Sequence, residues 1–174
     1  MSAETIFRIH LVLGYVVWLL CFSAYIWPWL RSMERVEAMR AIATLHSFRF
    51  FGLVFLLPGV TGDHLPADFG AFATFAAYGD FATGLLAIVA LLAFRIRPLF
   101  LASVVAFNLV GIVDLLGDYT LATLANLPAQ AGELGSTYAI PIIYVPILMI
   151  THVAAFYLLM RSRSAEQAAR PALT

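Results

Sequence analysis

Lysine is absent from this chain, and each of its ten basic residues is arginine. Charge of either sign is scarce: charged residues are 11% of the 174, and ten acids offset the ten arginines to a net charge of zero. That balance excludes the basic face or arm that nucleic-acid binding needs. Cys21 is the only cysteine, so an internal disulfide framework is excluded and the thiol reads as a small buried apolar group. Phosphate-binding loops, dinucleotide fingerprints, His-Glu metalloprotease patterns, nucleophile elbows and paired Cys-x-x-Cys motifs are all missing.

Apolar residues are what is there. They make up 63% of the chain, against about 45–50% in an ordinary soluble domain. The surplus falls in blocks of about 20 residues, the length that crosses a hydrocarbon core of roughly 30 Å at 1.5 Å per residue. Runs this long without alternation exclude a closed barrel and leave helices as the spanning structure. The expected fold is therefore all-α: an integral membrane bundle of five transmembrane helices over about 6–30, 41–62, 71–94, 98–117 and 138–160, with a polar tail at 161–174. Residues 1–174 read as one transmembrane domain without internal repeats.

The first block is expected to stay in the membrane as a span. Ser2-Ala3-Glu4 is not a basic leader, and Trp27-Pro28-Trp29 reads as an interface anchor, unlike a cleavage site. The linker "RSMERVEAMR" (31–40) alternates charge at helical spacing and is expected to carry a helix out of the membrane. "DHLPADFG" (63–70) reads as a loop, and 119–137 as a short helix on the membrane surface followed by a turn.

Arginine placement orients the bundle. Arg31, Arg35, Arg40, Arg95, Arg97, Arg161, Arg163 and Arg170 fall on one side, and Arg8, with Glu4, Asp63, Asp68, Asp118 and Glu133, on the other. An external N-terminus and a cytoplasmic C-terminus follow, in a bacterial cytoplasmic membrane.

Against this background the polar residues inside the spans stand out. "LHSFRFFGLVFLLPG" (45–59) places His46 and Arg49 in an apolar run. Asp80, Asn108, Asp114 and His152 lie inside the third, fourth and fifth blocks. An ionised group facing lipid near a helix centre costs about 2.5–3.5 kcal/mol on insertion scales, so these side chains should turn inward and find partners. Asp80, Asp114 or backbone carbonyls freed by Pro141 and Pro146 are the candidates for Arg49. The short "RIRP" connection makes spans three and four antiparallel neighbours, so the two aspartates can adjoin. His46 and Arg49 share a face, about 60° apart on an α-helix. Ala76, Thr83, Gly84 and Ala87 suit close helix approach beside Asp80.

If the six converge, they form a polar track through most of the membrane. The leading expectation is a pathway for a small lipophilic or ionic ligand or for protons. Asp80 or Asp114 would act as acid or base, while His46, Arg49, Asn108 and His152 bind the ligand. In that reading Arg49 takes an anionic group, and Phe48, Phe50, Phe51 and Phe55 hold an apolar tail. A second reading is a structural or accessory subunit whose polar groups staple helices, with a homo-oligomer or another membrane subunit as partner beside the lipid bilayer. A third is a b-type haem protein with His46 and His152 as axial ligands. A metal site from His10, Asp63, His64 and Asp118 has no diagnostic spacing, and none is assigned. Each of these groups also has a plain role, as interhelical glue for Asn108 and His152 and as solvated interface residues for His10 and His64.

Overall fold

The computed structural model describes residues 1–62, 64, 65 and 68–160. Asp63, Arg161, Arg163, Arg170 and the expected polar tail lie outside the described residues. Helix accounts for the architecture, and no strand occurs among the described residues. Five helical stretches, Ala3–Ser32, Arg35–Leu56, Phe69–Leu92, Arg97–Leu124 and Ile140–Met160, are long and apolar enough to cross a membrane. The molecule is a membrane helical bundle, and the stretches are called the first to fifth helices below.

The second, third and fourth helices pack in sequence, and the fifth lies against the fourth, the second and the first. The third helix allows the tightest approach because its buried stripe is small: Ala73, Ala76, Ala77, Thr83, Gly84, Ala87 and Ala90 flank Asp80. The first helix is peripheral. Phe7 and Leu30 are its buried residues, and Val12, Leu13, Val16, Val17 and Leu20 face outward. Its inner side is tied on by polar contacts: His10 Nδ1 with the Tyr138 hydroxyl at 2.8 Å, the Tyr15 and Tyr119 hydroxyls at 2.6 Å, and Trp18 Nε1 donating to the Ile143 carbonyl at 2.7 Å. His10 is thus engaged with the protein as well as near the surface.

Two connections differ from the sequence expectation. The charged linker does not extend outward as a helix; Met33 and Glu34 are extended, and a new helix starts at Arg35. The reason is burial: Ala38, Met39, Ile42, Ala43 and His46 form one helical face that packs into the bundle. The segment expected as one short helix and a turn over 119–137 is divided: the fourth helix runs on to Leu124, and kinked turns follow. Asn126 takes a left-handed conformation (φ 51°), and residues 127–138 fold back as kinked 3-10 turns. Leu127, Ala131 and Leu134 are buried there with Phe7, Phe55 and Phe72. Gly135 (φ 53°) makes the return turn, where a Cβ would stand 2.6 Å from the Val60 carbonyl oxygen.

The second helix changes type along its length. It is α-helical from Arg35 to His46 and a 3-10 helix from Ser47 to Leu56. Such a run is long for 3-10 structure, which rarely exceeds three or four residues. Its consequence is register. With three residues per turn His46, Arg49, Gly52 and Phe55 fall in one line, and all four are buried. A continuous α-helix would leave Phe55 about half a turn away from His46. Gly84 admits this backbone, since a Cβ there would lie 2.9 Å from the Phe50 amide nitrogen and 3.4 Å from the Ser47 carbonyl oxygen. Phe48, Phe50 and Phe51 consequently point away from the bundle.

Candidate functional site

Arg49 is the largest of the fully buried side chains, with 0% exposure, and it lies at the centre of the bundle. Its Nε donates to Asp80 Oδ1 at 2.5 Å, and its Nη2 pairs with Asp114 Oδ2. Nη1 faces the Gly111 carbonyl at 3.3 Å and His152 Nε2 at 3.2 Å. The second, third, fourth and fifth helices all contribute, so the cation is satisfied without lipid contact, as the cost of burying it demands.

Hydrogen-bond chemistry settles the histidine tautomers. Arginine has donors only, so His152 Nε2 must accept and the ring is neutral with its proton on Nδ1. That Nδ1–H donates to Asn108 Oδ1 at 2.8 Å, and Asn108 Nδ2 donates to the Val104 carbonyl at 2.7 Å. The Thr151 hydroxyl donates to the Ile147 carbonyl at 2.7 Å, so its oxygen accepts from His46 Nε2 at 3.0 Å. His46 is left with a buried, unpartnered Nδ1.

Glycine makes the space for this cluster. A Cβ on Gly52 would collide with the Asp80 carboxylate, and one on Gly79 with the Asp114 carboxylate. A Cβ on Gly111 would stand 2.5 Å from His152 Nε2 and 2.7 Å from Arg49 Nη1. Asp80, Asp114, Arg49 and His152 therefore sit over helix positions that have no side chain.

All six sequence candidates, His46, Arg49, Asp80, Asn108, Asp114 and His152, meet in one cluster, but they do not form a track through the bundle. Beyond Asn108 and His46 toward the arginine-rich end lies a packed apolar layer of Ala38, Met39, Ile42, Phe100, Val104 and Leu158. Toward the other end a cavity of about 280 Å³ opens. Phe7, Leu11, Phe55, Phe72, Leu134 and Val145 supply apolar walls, and Asp80 and Asp118 supply carboxylates. Glu4 and Arg8, also at its edge, pair with each other at 2.7 Å. Asp118, grouped in the sequence with the acids of the outer side, was not among the six candidates. Its signal was its spacing, one helical turn from Asp114.

The sequence profile of a domain of unknown function, DUF8737, matches residues 6–160. The chain belongs to this family. No curated protein and no solved structure matches the chain. The DUF8737 match runs through all five helices, and so takes in every residue of the cluster and most of the cavity wall.

Several roles expected from sequence do not fit this geometry. Arg49 is directed at protein acceptors and away from the cavity wall, so it does not present a free guanidinium to an anion. The backbone carbonyl it meets belongs to Gly111; the Ile143 carbonyl, near Pro146, takes Trp18 instead. Of the phenylalanines, Phe55 lines the cavity, whereas Phe48, Phe50 and Phe51 face outward. A bis-histidine haem does not fit between His46 and His152. Their ring centroids are 4.1 Å apart, which leaves no gap for a porphyrin, and both nitrogens of His152 are engaged. Among the described residues no group of three or more His, Cys, Asp or Glu side chains is placed to hold a metal ion.

Proposed function

We propose that this protein takes a small, mainly apolar molecule from the outer side of a bacterial cytoplasmic membrane into the cavity above the Arg49 cluster. The orientation rests on arginine placement, with Arg31, Arg35, Arg40, Arg95 and Arg97 toward the cytoplasm. The observation that carries the reading is one-sidedness. The cavity meets Asp80 and Asp118 at one end of the cluster, and packed apolar side chains close the other. An apolar pocket with a few convergent polar groups is the usual form of a small-ligand site.

Asp80 belongs to both features, since it lines the cavity and pairs with Arg49. A ligand that touches Asp80 therefore acts on Arg49 and, through it, on Asp114 and His152. Arg49 holds the carboxylate in place, and His152, itself fixed by Asn108, accepts from Arg49 behind it. Such an arrangement suits binding followed by acid–base chemistry at Asp80, or the outward-open half of a transport cycle.

The test is photolabelling of the purified protein in nanodiscs with a diazirine-bearing hexane. Adducts are expected on Leu11, Phe72 and Leu134. Ala122→Phe, which fills space at the cavity wall, is expected to remove them. Label confined to outward residues such as Val12, Leu13 and Val16 in both proteins would defeat the proposal.

A further inference from the structure

Charge around the cavity floor is unequal. One guanidinium, Arg49, faces three carboxyl groups, Asp80, Asp114 and Asp118, which all interact electrostatically. Arg49 pairs with Asp80 and Asp114, while Asp118 enters neither ion pair. His152 is neutral by its tautomer, and Arg8 is engaged with Glu4 at the rim. Oδ1 of Asp118 and Oδ1 of Asp114 are both buried without a hydrogen-bond partner; Asp118 lines the cavity, whereas Asp114 Oδ1 lies over Gly79. A buried carboxylate oxygen without a donor is costly and is normally met by some partner.

The surroundings specify what that partner is. A metal ion needs several oxygen ligands, and no such group is assembled among the described residues. Asp118 instead stands among apolar walls that include Phe72, Leu127 and Leu134. That combination matches an apolar chain with N–H donors at one end.

Resting on the ligand-binding reading above, we propose that the cavity ligand is an amphiphilic monocation, a protonated primary amine on a short apolar tail. Its ammonium is held by Asp118 beside Asp80. The tail lies along Phe72 and Leu134 toward the rim. The ion pair forms in an apolar, water-poor site, where charge-assisted hydrogen bonds are strong.

The experiment compares three diazirine probes, hexylammonium, hexanol and hexanoate, on the full chain in nanodiscs of zwitterionic lipid. Hexylammonium is expected to label Phe72 and Leu134 at a half-saturating concentration roughly tenfold below that of hexanol, with hexanoate weakest. Asp118→Asn is expected to bring hexylammonium to the hexanol value while leaving hexanol unchanged. Asp118→Glu keeps the charge and is expected to preserve the preference. Equal labelling by ammonium and alcohol, a preference for hexanoate, or an Asp118→Asn protein that still prefers the ammonium would overturn the amine assignment and leave the cavity reading standing. Failure of every probe to reach the cavity walls would overturn both.

Discussion

Gly111→Ala sets two effects against each other, and the structure says which prevails. Alanine is the better helix former by up to about 1 kcal/mol, and Gly111 lies inside the fourth helix. Against that, the added methyl would stand 2.5 Å from His152 Nε2, 2.6 Å from its Cε1 and 2.7 Å from Arg49 Nη1. Neither neighbour can swing aside, because Arg49 is held by Asp80 and Asp114 and His152 by Asn108. Overpacking costs about 1–3 kcal/mol, and losing the charged hydrogen bonds of Nη1 about 1.5–3 kcal/mol more. The net expectation is destabilisation by roughly 1.5–5 kcal/mol after the propensity gain. Equilibrium unfolding by sodium dodecyl sulfate in mixed micelles, followed by circular dichroism, measures it. Gly70→Ala is the control, since a Cβ there meets nothing within 4 Å; it is expected to be neutral or slightly stabilising. A Gly111→Ala protein as stable as Gly70→Ala would refute the claim that this glycine makes room for the cluster.

The ion pairs give a second expectation: Arg49→Met leaves two buried carboxylates facing each other and should cost about 3–5 kcal/mol. Asp114→Asn keeps the Asp80 pair and should cost less, and the double variant should cost less than the sum of the singles in the same unfolding assay. Nitrogen-15 spectra of the imidazoles should show His152 protonated on Nδ1 and His46 on Nε2; the reverse pattern at His152 would contradict its contact with Arg49. Asn108→Ala removes the acceptor of the His152 Nδ1–H, but the tautomer set by Arg49 should persist, with His46 unchanged. Phe55→Ala, on the buried line of the 3-10 segment, should cost about 3–5 kcal/mol, whereas Phe51→Ala, outward on the same segment, should change stability by about 0.5 kcal/mol or less. Similar losses at both positions would mean that the three-residue register is wrong.

Much of this bundle was legible residue by residue. The apolar blocks are long because hydrocarbon is thick, so span number could be read by counting. Inward-facing charge was legible for the same reason, since Arg49, Asp80 and Asp114 cannot face acyl chains cheaply. The change of helix type at Ser47 was not legible. "SFRFFGLVFL" is apolar enough to suit either helix, and the difference lies in a backbone contact with Gly84, far along the chain. An α-helical rise of about 1.5 Å per residue along every span would also stretch the cluster. The 3-10 segment rises about 2.0 Å per residue, and the arginine side chain reaches across helices to both aspartates.

Composition and spacing alone therefore determined that the chain is a five-helix membrane bundle and that six polar side chains must avoid lipid, because both follow from the free energy of transfer into hydrocarbon. Which of them pair, and that a cavity stops at Asp80 and Asp118 instead of crossing the bundle, was decided by tertiary packing. Glycines at 52, 79 and 111 bring carboxylate, guanidinium and imidazole within contact, and the residues that close the far end are ordinary Ala, Met, Phe and Leu. No local rule marks such residues as a seal; only their meeting in space does.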